Sequence, residues 1–256
     1  MKKLSLQGVL NIRDLGDTPV LGGKIRPGRL IRSSKLSKAT TEDIAFLSNA
    51  YTLNQILDLR TETERGESPD VLIPGAAYTP IPLVTEEAFG VTRDEKSKRD
   101  IFDMTRFPGM EETYRALVSP NTYPSWHAVF DALLTPRQGA VLWHCSEGKD
   151  RCGLVSAMVL YALGASLKDI RADYLETNVT AEPRAEGMYQ MVLEKTQNPD
   201  IAEKVRSAFV ARSSYFDSAL TAMEENCGSI DGFLKDGCGL NREKRQTLKE
   251  WYCLPT

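Results

Sequence analysis

Apolar residues follow two rhythms along this chain. Short runs come first: Gly28-Arg29-Leu30-Ile31-Arg32, Gln55-Ile56-Leu57-Asp58-Leu59 and Ala140-Val141-Leu142-Trp143. Runs of that length, bounded by polar or turn-forming residues, predict buried strands. Between and after them the spacing changes to three and four. Thr40-Thr41-Glu42-Asp43 has the form of a capping box, and Ile44 and Leu47 then share a helix face. Trp126, Val129, Phe130, Leu133 and Leu134 mark a second helix, which Pro136 to Gly139 end. Gly153 to Leu163 is apolar nearly all round and predicts a helix buried in the core, stopped by Gly164. Ser166-Leu167-Lys168-Asp169 starts the next one. Tyr78 to Leu83 reads as extended, and its two prolines place it at an edge or in irregular pairing.

The remainder is helical. Tyr215, Phe216, Ala219, Leu220 and Met223 mark a helix ended by Gly228; Ile230, Phe233 and Leu234 mark a short one; Leu248, Trp251 and Tyr252 mark a last one after Asn241. Strands alternating with helices predict an α/β fold, with a central, mostly parallel sheet flanked by helices and a helical C-terminal region near 180–256. We expect one domain over residues 1–256. The stretch near 84–120 departs from the pattern. Its segment from Thr92 to Asp100 is charged and weakly patterned, which fits either an insertion closing over a site as a lid or a plain solvated surface.

Composition narrows the class. With 41% hydrophobic and 26% charged residues, the 256-residue chain can bury a sizeable core. A formal net charge of −3 supplies no global basic field for nucleic acid or anionic membrane. No run approaches the roughly 18 apolar residues of a membrane span, so no stable membrane insertion is expected. The segment after Met1-Lys2-Lys3 is broken by Ser5, Gln7, Gly8, Asn11 and Arg13, unlike a signal peptide, so the expected location is the cytoplasm. The five cysteines (145, 152, 227, 238 and 253) include no C-x-x-C pair, and the two histidines, His127 and His144, lack metal-ligand spacing. Reduced thiols and a reaction without metal or cofactor are expected.

The chemistry concentrates in His144-Cys145-Ser146-Glu147-Gly148-Lys149-Asp150-Arg151-Cys152-Gly153, between an apolar strand and the buried helix. A loop so placed gathers backbone N–H groups at a helix N-terminus, where an anion is favoured. The same amides, with a guanidinium nearby, favour a thiolate at Cys145, a strong nucleophile. Arg151 lies one turn of the loop away, with a planar fork suited to two phosphate oxygens. Gly148 permits backbone angles that other residues resist. The backbone of Ser146, Glu147, Gly148 and Lys149 is thus the candidate phosphate cradle. His144 is expected to anchor the loop by hydrogen bonding.

This C-x5-R loop, in the fuller form H-C-x-x-G-K-x-R, resembles that of the cysteine phosphatase superfamily. With Asn11-Ile12-Arg13-Asp14-Leu15-Gly16, Asp58-Leu59-Arg60 and Asp173-Tyr174-Leu175-Glu176-Thr177-Asn178 in the same order, the chain is similar to bacterial tyrosine and lipid phosphatases of the mycobacterial PtpB and Listeria LipA type. The resemblance implies a phosphate-monoester hydrolase with Cys145 as nucleophile and Arg151 as clamp, acting on phosphotyrosine in proteins and on phosphoinositides, with phosphoserine or phosphothreonine also open. Lys149 would add charge for substrates with several phosphates. The general acid it implies first is Asp150, ahead of Asp58 and Asp14. Asp58, Arg60 and Arg13 are either substrate contacts or parts of turns and ion pairs. Cys152 stands where the family usually has threonine or serine, so it would slow turnover or serve Cys145 as a redox partner. Two other readings compete: a non-catalytic phosphate reader, and a phosphatase controlled by a Cys145–Cys152 redox switch.

Overall fold

The computed structural model describes residues 1–84, 109–135 and 138–255. The chain first lays down five short strands, β1 (Lys2–Lys3), β2 (Arg13–Asp14), β3 (Pro19–Val20), β4 (Gly23–Ile25) and β5 (Leu30–Ser33). Next come α1 (Thr41–Ala50), β6 (Gln55–Asp58), α2 (Glu62–Glu67) and β7 (Ala77–Pro80). Then follow α3 (Met110–Ala116), α4 (Tyr123–Leu133), β8 (Val141–His144) and α5 (Asp150–Leu163). Six helices complete the chain before a final strand: α6 (Leu167–Glu176), α7 (Asn178–Thr196), α8 (Pro199–Phe209), α9 (Ser213–Cys227), α10 (Ile230–Asp236), α11 (Arg242–Tyr252) and β9 (Cys253–Pro255).

The main sheet has the order β1-β2-β5-β8-β6-β7. Strands β5, β8, β6 and β7 run parallel, and β1 and β2 add antiparallel pairs at one side. This is the α/β architecture that the alternation of rhythms predicts, with the expected helical C-terminal region. β8 is central because Val141, Leu142 and Trp143 are apolar on both faces. Leu142, flanked by Ile31 and Ile56, packs into one cluster with Leu47 of α1. Trp143, flanked by Arg32 and Leu57, joins the other, larger cluster around α5. Every residue of α5 except Asp150 and Tyr161 is buried, and Gly164 ends it at φ 100°, its N–H on the Leu160 carbonyl. β7 takes the outer edge, where Pro80 withholds no ladder hydrogen bond.

One expected boundary shifts, and further features appear. The strand drawn over 28–32 starts at Leu30, because Gly28 is a turn residue at φ 74° whose N–H goes to Asp14 Oδ2 at 2.8 Å. The charged run from Thr92 to Asp100 lies outside the described residues. Tyr114, Leu117 and Val118, spaced at three and four, are fully buried in the main core. Finally, β3, β4 and β9 form a second, three-stranded sheet, with Ile25 opposite Cys253. The helical hairpin α7–α8 holds a small cluster of its own around Val192, Ala202 and Val205.

The register aligns Ser33, His144 and Asp58 at the C-terminal ends of three adjacent parallel strands. Ligand crevices in such sheets open at that edge, and the loop from Cys145 begins there.

Candidate active site

Between β8 and α5 the backbone turns through a ring whose carbonyls all have partners outside it. The Cys145 carbonyl lies 3.3 Å from His144 Nδ1, and the Ser146 carbonyl accepts from Lys35 N at 3.3 Å. Asn11 Nδ2 donates to the carbonyls of Glu147 and Gly148 at 3.2 and 2.9 Å, and Arg32 Nη2 reaches Gly148 at 2.6 Å. In a trans peptide the N–H points opposite to the C=O. Four carbonyls held outward therefore aim the amides of Ser146, Glu147, Gly148 and Lys149 inward, toward the N-terminus of α5. Gly148 makes the bend at φ 68°, and a Cβ there would sit 2.6 Å from the Ser33 carbonyl.

Cys145 lies at the foot of this ring and is 3% exposed. Arg151 is gripped by a residue without a place in the predicted site. Its Nη1 and Nη2 donate to Glu64 Oε2 and Oε1 at 2.5 and 2.8 Å, and Ser146 Oγ donates to Glu64 Oε1 at 2.6 Å. Burial alone would raise the Glu64 pKa. The hydrogen bonds and charge of Arg151, with help from Ser146 and the Thr61 N–H, overcome it and bring it down to about 2. Burial likewise opposes the Arg151 cation, but Glu64 and then Cys145 outweigh it and raise its pKa. Lys149 Nζ and Tyr114 Oη both donate to Asp150 Oδ1, each at 2.6 Å.

A second tier holds the ring from beneath. Asp173 pairs with Arg13 Nε at 3.1 Å and Arg32 Nη1 at 2.5 Å, all three side chains being buried. This explains two of the sequence motifs at once: Asn11 and Arg13 come from one, Asp173 and Thr177 from another, and Thr177 Oγ1 accepts from both Asn11 and Arg13. On the opposite side, Arg60 pairs with Asp58 and Asp70 at 2.7 Å each, and His144 Nε2 is 3.0 Å from Asp70. Tyr78 donates to Asp58 Oδ2 at 2.5 Å. The oxygens of Asp58 and Asp70 and a ring nitrogen of His144 lie within 4.8 Å of one another, close enough to suit a cation. The Arg60 guanidinium already supplies positive charge to both carboxylates.

The structure thus brings Cys145, Ser146, Glu147, Gly148, Lys149, Asp150 and Arg151 into one loop, and places Arg13, Asp58 and Arg60 differently. Those three are buried in ion-pair tiers and do not line the ring, because each is neutralised by partners supplied from other elements. Asp14 binds Gly16 N and Gly28 N at 2.8 Å through its two oxygens, a turn cap. Of the three carboxylic acids weighed as proton donors, Asp150 alone belongs to the loop. Glu147 points outward to Arg184.

Over residues 4–254 the chain matches the sequence model of the tyrosine phosphatase family. The chain belongs to that family. This tyrosine phosphatase is 29% identical to a candidate tyrosine-protein phosphatase of Cupriavidus necator, over 91% of this chain and 83% of the other. It is 28% identical to the triple specificity protein phosphatase PtpB of Mycobacterium tuberculosis, over 90% and 92% of the two chains. A tyrosine-protein phosphatase of Nostoc commune is 25% identical over 86% and 72%. Membership makes the protein a cysteine phosphatase acting on phosphorylated protein. Among the described residues no helix is long and apolar enough to cross a membrane.

A second thiol follows the loop's arginine in this phosphatase. Cys152 is fully buried, its thiol donating to the Trp143 carbonyl at 3.6 Å. Burial pushes its pKa up to about 12, against the pull of Arg32, so it stays a neutral thiol.

Proposed function

We propose that Cys145 is the nucleophile, Arg151 the phosphate clamp and Asp150 the general acid of a two-step hydrolysis. The observation that carries this reading is the ring of inward amides above one sulfur, closed by a buried arginine. Phosphate oxygens would sit on the amides of residues 146–149 and against the Arg151 guanidinium, which Glu64 braces. Cys145 Sγ attacks phosphorus as the P–O ester bond breaks. Asp150 gives its proton to the departing oxygen. Water then attacks the phosphocysteine, Asp150 takes back a proton, and the S–P bond breaks to release phosphate.

The substrates we assign are phosphotyrosine in proteins and, with Lys149 adding charge at the ring, phosphoinositides. Arg13, Asp58 and Arg60 hold the ring in place and do not touch substrate. The redox alternative is disfavoured by Cys152, because a neutral, buried thiol is a poor partner in disulfide exchange. A pure phosphate reader would not need both Cys145 and Arg151.

The test is hydrolysis of p-nitrophenyl phosphate, a phosphotyrosine peptide and phosphoinositides in a chelating buffer. Activity should persist with chelator, stop with vanadate, and fall by about 10³-fold or more in Cys145→Ser. Undiminished turnover by Cys145→Ser would refute the mechanism; inactivity on the lipids alone would refute only the second substrate class.

A further inference from the structure

Asp150 receives both of its hydrogen bonds from described residues on one oxygen. Tyr114 Oη and Lys149 Nζ each donate to Oδ1 at 2.6 Å. Tyr114 is fully buried, and its one hydroxyl hydrogen is committed to Asp150. The 2.8 Å contact between Tyr174 Oη and Tyr114 Oη therefore runs from Tyr174 to Tyr114. Each link has a direction: Tyr174 to Tyr114, and Tyr114 to Asp150. The rings cannot swing aside, since Tyr114 packs edge-on against Tyr174 at 6.0 Å and tilted against Tyr215 at 5.8 Å. Burial, chiefly, raises the pKa of both phenols, so they remain donors throughout the working range of the enzyme.

We propose that Tyr114, backed by Tyr174, is a positioning residue that assigns the leaving-group proton of Asp150 to Oδ2. The inference rests on Asp150 being the general acid. A carboxyl oxygen offers two in-plane lone-pair directions. With both on Oδ1 filled by donors, a proton bound covalently there would meet them head-on. Neutral Asp150 then carries its hydrogen on Oδ2 alone. The Oδ2–H bond breaks as the ester oxygen departs with that hydrogen, and the attacking water later returns one to the same atom.

The groups facing Asp150 are Lys149 of the loop, Arg151 of α5, Tyr114 of α3, Tyr174 of α6 and Tyr215 of α9. Tyr114→Phe deletes one donor and leaves both cations. A lost donor disfavours the carboxylate, so the proton is held more tightly. The alkaline limb of kcat/KM should rise by about one pH unit, a tenfold change in proton affinity. Freed Oδ1 would also share the proton, penalising leaving groups that depend on it.

The experiment compares p-nitrophenyl phosphate with phenyl phosphate, whose leaving group needs a proton far more, across pH. In Tyr114→Phe the rate ratio of the two substrates should rise about tenfold alongside the limb shift. In Tyr174→Phe both changes should have the same sign and about a third of the size; this variant decides the matter if Tyr114→Phe fails to fold. Profiles and ratios superimposable on wild type in the folded variants would overturn the proposal. Asp150→Asn, run in parallel, separates the two ideas. It should remove the alkaline limb and raise the ratio by roughly 10². If it does neither, the acid lies elsewhere and both readings fall; if it does both while the tyrosine variants change nothing, only the positioning role falls.

Discussion

Glu64 has two tasks. At the third position of α2 its carboxylate accepts from the Thr61 N–H at 3.0 Å, completing a capping box, while it grips Arg151 from the side. Because its pKa falls from about 4.3 in an unfolded chain to about 2, its contribution is complete above the unfolded value. It is lost as pH drops through the folded one. The difference corresponds to on the order of 2–3 kcal/mol. Glu64→Gln should lower stability by that order at pH 7, and the gap from wild type in thermal melts should close between roughly pH 5 and 2. It should also lower kcat by at least about tenfold, since the guanidinium loses its brace. Equal stabilities at neutral pH would remove the assigned role. The sequence held a signal for this residue: Thr61-x-x-Glu64 directly after a buried strand. Nothing local tied it to an arginine far down the chain. The loop from Cys145 to Arg151 was legible as a unit because it is one continuous stretch. The roles of Asn11, Arg13 and Asp173 were not, because each contact spans well over a hundred residues.

At the scale of elements, the long periodic segments matched their expected forms and the short ones escaped. The helices now labelled α1, α4, α5, α9 and α11 carry caps or apolar spacing that survive in isolation. Strands β1 to β4 have two or three residues each, too few to show a period of two. They exist because Asp14 staples the turns around Gly16 and Gly28 and because β9 supplies a partner for β4. The left-handed end of α5 invites a direct check. Gly164 at φ 100° meets only Leu21 and Lys249 side-chain or backbone atoms beyond 3.4 Å, so a Cβ has room but the backbone angle opposes it. Gly164→Ala should cost about 1–2 kcal/mol in chemical denaturation and leave KM within twofold. A neutral result would show that the turn adjusts its backbone.

For the whole molecule, the two apolar clusters on either face of β8 and the ion-pair tier at its end act together. Asp173 is the point where they meet: it lies on α6, binds β2 and β5 through Arg13 and Arg32, and so reaches Gly148 through Arg32. Removing one charge from a buried triad leaves the two cations facing each other, a loss of roughly 3–5 kcal/mol. Asp173→Asn should therefore lower the melting temperature by several degrees and weaken vanadate binding together. A variant that melts early yet binds vanadate normally would uncouple tier from ring.

That arrangement has a consequence for how the enzyme comes into being. A ribosome that has just released Arg151 has made the whole signature, yet the ring still lacks Asp173 and Thr177, and β4 still waits for Leu254. Nascent chains thus carry the finished signature for about two dozen further residues before Thr177 is made, and the ring closes only when residues outside the motif fold against it.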